Sequence, residues 1–243
     1  MSLKAGLAAA ILFVAGTTPV AARGQDLEAD REICNAEPTS PDASIEACGA
    51  LIAAGEGSPQ KRAVLFAHRG WAFDQEGKYD EALKDYDQAI GLYPDAAPTY
   101  SQRAGTYHRT GQDDLALKDL DEAIRRDPSL AEAWNDRCWI RAQRDQLDQA
   151  LSDCNEALRL QPGNPPALDS RGFVKLKLGR YDAAIADYSA AIRLAPTMPS
   201  PLYARGVAKL RKGDKEGGKE DIEEAEKLLP GITKTYEKEG LTP

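Results

Sequence analysis

Four cysteines (Cys34, Cys48, Cys138 and Cys154) and two histidines (His68 and His108) are the residues of this 243-residue chain best suited to chemistry. Thiols and imidazoles can hold a metal or form a nucleophile–base couple, and thiols alone can oxidise to disulfides. The spacings speak against metal: no CxxC pair occurs, and the histidines are far apart without neighbouring ligands. A catalytic constellation is missing as well. Two separated histidines form no triad, the glycines punctuate turns and form no GxxxxGK[ST] phosphate loop, and Ser and Thr are scattered. The 39 carboxylates read more simply as solvated helix faces. No enzyme activity and no cofactor are expected. The cysteines are then either two disulfides or four buried thiols, and an even count in an exported chain favours the bridges.

Export is expected from residues 1–22. MSLK carries one positive charge, AGLAAAILFVAG is apolar or small throughout, and Val20 and Ala22 offer a small-residue cleavage signal before Arg23. This predicts a signal peptide cleaved after Ala22 and a periplasmic or secreted mature chain. An uncleaved anchor is the weaker reading, because an apolar core of about a dozen residues is short of the ~20 that span a bilayer. Without Lys4 the chain has 30 basic residues against 39 acidic ones, a net charge of −9. Such a surface repels phosphate backbones, so nucleic acid is not an expected partner.

The elements that must position everything else announce themselves by period. Proline recurs at Pro94, Pro128, Pro162, Pro196 and Pro230, in steps of 34 residues. In the same frame stand Arg69, Arg103, Arg137, Arg171 and Arg205, each followed by a small residue: Gly70, Ala104, Cys138, Gly172 and Gly206. Alanine holds a further place at Ala89, Ala123, Ala157, Ala191 and Ala225. Each copy splits into two amphipathic segments around a turn, as in AVLFAHRGWAFDQ, then Glu76-Gly77-Lys78, then YDEALKDYDQAIGLY. With aromatics at 7% and charged residues at 29%, helices with one apolar face are favoured over strands. Small residues at fixed places are what closely crossed helices require.

A 34-residue helical hairpin with small, aromatic and proline residues at these places resembles the tetratricopeptide repeat. The family's usual Trp survives at Trp134 alone, with Phe66, Tyr100, Leu168 and Leu202 at the equivalent places, and its usual Leu is Arg throughout. The resemblance implies an all-α, right-handed solenoid of five hairpins over residues 63–231 (63–96, 97–130, 131–164, 165–198 and 199–231). A degenerate N-terminal repeat over 23–62 and a capping helix over 232–243, with Ile232 and Tyr236 on one side, complete the expected organisation. In that frame Cys138 takes the tight crossing place and Cys154 the facing place, which implies one bridge between them and another between Cys34 and Cys48. Asp85, Asp119, Asp153, Asp187 and Asp221 keep step with the five arginines. This suggests a ladder of ion pairs, although two solvated faces sharing a period would look the same.

The resemblance also implies an inner groove lined mainly by the first helix of each copy, at its second, fifth, ninth, twelfth and thirteenth places. The candidate groove residues are Trp71, His108, Arg109, Asn135, Trp139, Gln143, Asp169, Phe173, Lys177, Tyr203 and Arg211. Exposed aromatics often mark binding sites, and the basic members suggest a somewhat basic lining suited to an extended peptide or an acidic tail. The expected function is therefore a non-catalytic protein-interaction scaffold in a bacterial periplasm, the compartment and source being those of similar signal-bearing repeat proteins. Alternatives are an enzyme or enzyme subunit with an unrecognised site, a groove filled by a flanking segment such as residues 23–33, and self-association into a homo-oligomer.

Overall fold

The computed structural model describes residues 20–35, 40–55, 57–238 and 241–242, and every regular element among them is an α-helix. Residues 1–19 of the expected signal segment lie outside the described residues. Two helices, α1 (Val20–Asn35) and α2 (Pro41–Ala54), precede the periodic region. Five hairpins follow: α3 (Pro59–Gln75) with α4 (Tyr79–Leu92), α5 (Ala97–Arg109) with α6 (Asp113–Arg126), α7 (Ala131–Gln143) with α8 (Leu147–Leu160), α9 (Pro165–Lys177) with α10 (Tyr181–Leu194), and α11 (Pro199–Lys212) with α12 (Lys215–Leu228). A short α13 (Ile232–Lys238) closes the order.

Local chemistry sets the helix ends. Each first helix stops one or two residues before a left-handed position, which Gly77, Gly111, Gly179 and Gly213 occupy at φ 72°, 73°, 72° and 102°. The third copy places Asp145 there at φ 59°, one of the few side chains that tolerate it. The second helices are capped by Tyr93, Asp127, Gln161, Ala195 and Leu229, which leave the helical region with φ between −133° and −143°, because each precedes a proline whose ring disfavours helix in its neighbour. Helix α3 starts at Pro59, upstream of the Ala63 that opens the periodic frame. Ser58 Oγ accepts from the Lys61 amide at 3.3 Å and Pro59 fits the first turn, so a local cap extends the helix beyond the repeat pattern.

Each helix packs on the next in sequence, and the first helices of successive hairpins also touch one another, from α1 through α11. Among the described residues the second helices make no such contacts with one another. The stack therefore bends with the first helices on its inner side. Within a hairpin the crossing is tight: a Cβ on Gly172 would lie 2.6 Å from Tyr188, and one on Gly206 would lie 2.7 Å from the Gly218 carbonyl. The facing pairs trade size, with Gly70 against Tyr86, Ala104 against Leu120, and Gly172 against Tyr188. In the third copy sulfur fills the same space, Cys138 and Cys154 being bridged, both fully buried. A second bridge, Cys34–Cys48, ties α1 to α2. His68 Nδ1 donates to the Cys34 carbonyl at 2.8 Å, so this histidine anchors the N-terminal hairpin to α3.

The ion pairs form within each copy. Arg103 donates through Nε and Nη2 to the two carboxylate oxygens of Asp119 at 2.7 and 2.8 Å, and Arg69–Asp85, Arg137–Asp153, Arg171–Asp187 and Arg205–Asp221 repeat this fork. The aspartates are buried. The remaining Nη1 reaches back to the preceding hairpin: Arg103 to Asp87, Arg137 to Asp121, Arg171 to Asn155 and Arg205 to Ser189, at 2.5 to 3.1 Å. One residue thus fixes both the hairpin and its neighbour. Four residues beyond the arginine, copies one and two hold Phe73 and Tyr107, each under the guanidinium at 5.7 Å. Copies three to five instead hold Arg141, Lys175 and Lys209, each a second cation on the aspartate. Burial works against the charge of Arg103, but its bonds to Asp119 and Asp87 outweigh this and raise its pKa.

Breaking a rung leaves a buried charge unpaired. Asp119→Asn should destabilise the protein by about 3 kcal/mol in urea unfolding, whereas Arg125→Ala, which removes an exposed pair with Glu122, should leave the unfolding midpoint close to that of the parent; equal losses would show that the ladder is no more than a solvated face. At the crossing, Cys138→Ala/Cys154→Ala should lower the melting temperature through the lost bridge and the cavity left behind. Cys138→Gly/Cys154→Tyr, which copies the Gly172–Tyr188 pair, should recover a large part of that loss. No recovery would mean that volume at the crossing is not what the bridge supplies.

Candidate partner-binding groove

The inner face opens into a cavity of ≈ 370 Å³ between α3, α5 and α7. Four of the residues predicted for the groove line it: Trp71, His108, Arg109 and Trp139. Both tryptophans are half-buried, each with part of its ring surface open to the cavity. A neighbouring hollow of ≈ 400 Å³ lies at the N-terminal ends of α7 and α9 and is lined by Asn135. Glu132 and Asp136 line both.

The expected basic character is weakened because three of the four basic groups already face a carboxylate and the fourth donates to a carbonyl. Arg109 is bonded to the buried carboxylate of Asp74, which also accepts from Thr106 Oγ1 at 2.7 Å and Gln75 Nε2 at 3.3 Å. His108 Nδ1 lies 2.8 Å from Asp113 Oδ1. Lys177 Nζ donates to the Ala142 carbonyl at 2.9 Å and pairs with Asp145 at 2.6 Å, closing the turn of the preceding hairpin. Arg211 Nη2 donates to the Thr242 carbonyl at 3.1 Å. Position in the repeat frame carried no information on what each of these side chains would meet across a hairpin boundary.

At the C-terminal end the groove is filled by the chain itself. Phe173 and Tyr203, expected to face solvent, are 5% and 0% exposed. Ile232, Tyr236 and Leu241 join them in one apolar cluster, the Tyr203 and Tyr236 rings stack at 4.9 Å, and Tyr203 Oη donates to the Leu241 carbonyl at 3.2 Å. The segment that covers this end of the groove is C-terminal, around Ile232, Tyr236 and Leu241, and not residues 23–33. Trp139 packs on the edge of this cluster, its ring 5.0 Å from Phe173. Asp169 is held by Ser200 Oγ at 2.6 Å, and burial pushes its carboxyl up to about 6. Gln143 is exposed.

Asp136 is the most weakly held of the partly buried carboxylates in the groove. Its contacts, from Ser101 Oγ and Asn135 Nδ2, are both at 3.5 Å, the outer limit for a hydrogen bond, and no cation pairs with it among the described residues. Burial, with the neighbouring charge of Glu132, pushes its carboxyl up to about 7 against the weaker opposing influence of Asn135, Ser101 and Arg109. Asn135 Oδ1 beside it is buried without a partner. Asp136 lies one place past the inner-face positions, where other copies hold His68, Gln102, Ser170 and Ala204. An acid at a place that is otherwise neutral or His was the signal available in the sequence.

A curved stack of helical hairpins with a 34-residue period, small residues at each crossing and an inner groove defines a tetratricopeptide-repeat solenoid. Models of this family match residues 63–96 and 106–165 as tetratricopeptide repeat and 172–213 as TPR repeat, together more than half of the chain. The chain belongs to the tetratricopeptide repeat family. Among solved structures, a tetratricopeptide repeat protein from Parabacteroides merdae is similar at TM-score 0.67 and 19% identity, over 91% of this chain and 90% of that one. YrrB, described as a TPR protein with an unusual peptide-binding site, is similar at TM-score 0.56 and 19% identity, over 81% and 99%. MamA from Desulfovibrio magneticus gives TM-score 0.59 and 17% identity, over 68% and 94%. At these identities the likeness is one of fold. No curated protein matches the chain in sequence.

The raised carboxyl of Asp136 has a signed consequence. An acid whose pKa is higher folded than unfolded favours the folded state fully below the ordinary carboxylate range, near 4, and loses that contribution as pH rises to about 7. Asp136→Asn should therefore raise the melting temperature by an amount that grows from pH 4 to 7 and then levels off, reaching at least about 3 °C at pH 8. A difference independent of pH would show that the carboxyl is not held up.

Proposed function

We propose that the protein is a non-catalytic scaffold that binds an extended peptide or protein segment in the N-terminal half of its inner groove, in the periplasm or outside the cell. The observation that carries this reading is the cavity between α3, α5 and α7, where Trp71 and Trp139 present half-buried rings while the other end of the groove is closed. Aromatic side chains set in a concave surface supply large contact area at small entropic loss, the usual make-up of a binding hot spot. The first helices that line the cavity are fixed by the arginine rungs, so the surface is organised before a partner arrives. The peptide-binding site ascribed to YrrB supports the choice of a peptide ligand.

Two disulfides are consistent with an oxidising compartment. Among the described residues no helix is long and apolar enough to cross a membrane. The expected signal peptide over residues 1–22 supports the same location.

The reading is tested with an array of extended ten-residue peptides. The protein should bind a subset saturably, and Trp71→Ala should weaken that binding about tenfold or more while leaving the melting temperature close to that of the parent. Binding that is unselective, or unaffected by the substitution, would remove the groove from the account.

A further inference from the structure

Two carboxylates in the cavity, Glu132 and Asp136, have no cation paired with them among the described residues, whereas both basic groups there, Arg109 and His108, already face a carboxylate. What the cavity lacks is therefore positive charge. We infer that the groove selects partners carrying an arginine or lysine side chain, which enters the cavity walled by Trp71 and Trp139 and pairs with Asp136, with Glu132 beside it. This rests on the groove being a peptide site and specifies the partner's chemistry.

Three features suit a guanidinium in particular. Its flat face stacks on an indole, and the cavity offers two. Its several N–H donors match acceptors that the protein leaves open: the Asp136 carboxylate, bonded only by contacts at 3.5 Å, and Glu132 at the mouth. A partly buried carboxylate without a counter-charge is also well placed to gain from an incoming cation, since part of its desolvation is already met before binding. The same arrangement works against an acidic tail, which would add a like charge to two unpaired carboxylates and find Arg109 engaged by Asp74.

Three ten-residue peptides identical except for a central Arg, Leu or Glu provide the test, read by NMR titration of the indole N–H signals of the full-length protein. Trp134 is an internal control, because its Nε1 donates to the Pro128 carbonyl at 3.0 Å and its ring is covered by Arg137. The Arg peptide should shift the Trp71 and Trp139 signals saturably, leave Trp134 in place, and bind at least about tenfold more tightly than the Glu peptide. Asp136→Asn, of nearly the same shape, should remove most of that preference, and Glu132→Gln should reduce it without disturbing the fold of an exposed site. Equal binding of all three peptides, preference for Glu, or a preference that survives both substitutions would overturn the inference while leaving a peptide groove in place. Failure of every peptide to bind would instead remove the groove reading on which it stands.

Discussion

The whole array depends on placing a guanidinium at each hairpin crossing and surrounding it with acceptors. Arg69 and its four successors stand where the family's pattern has an apolar residue, at the closest approach of two helices. A cation there is tolerable only if its donors are met, and the chain meets them with a buried aspartate on the same hairpin in every copy and, from the second copy on, with an acceptor on the hairpin before it. The first set of bonds fixes the angle of the hairpin and the second fixes its register on the stack. An apolar residue would fill the same volume without specifying either, so the rungs supply orientation more than raw stability.

That rigidity is what lets the inner face hold unsatisfied groups. A carboxylate such as Asp136 would be relieved by a small shift of its helix if the helix could move. Its neighbour Arg137 is forked onto Asp153 and bonded to Asp121, which ties α7 in place, and Asp136 keeps contacts no shorter than 3.5 Å. Sites that keep a strained or unpaired group need surroundings that over-determine their position. Here the ladder and the site are adjacent residues of one helix.

The architecture was readable because it is written five times. A proline every 34 residues, an alanine that never varies and a small residue after each arginine are constraints of helix crossing, and any one copy corrects noise in the others. The pairing of Cys138 with Cys154 was equally plain once the frame placed them where Gly172 and Tyr188 sit. The groove was less legible, for a reason visible in particular residues. Phe173 and Tyr203 occupy inner-face places, but Tyr236 and Leu241, which lie outside the repeat, fold back over them. Arg109 and Lys177 lie on the inner face too, yet each is bound by the hairpin before it. A repeat frame predicts which way a side chain leaves its helix, and it is silent about what a non-repeating tail or a one-copy substitution such as Asp74 brings opposite.

The acceptors that join one hairpin to the next are not alike: carboxylates at Asp87 and Asp121, an amide at Asn155, a hydroxyl at Ser189. Both carboxylates are largely solvent-exposed, so dissolved ions screen their attraction for the guanidinium, while an amide or a hydroxyl brings no opposite charge and its bond to the guanidinium is less sensitive to ionic strength. The seams of the solenoid are accordingly springs of two kinds. Those behind the open cavity slacken in brine, and those behind the sealed end keep their tension, so the curvature offered to a visitor is set in part by the saltiness of its surroundings.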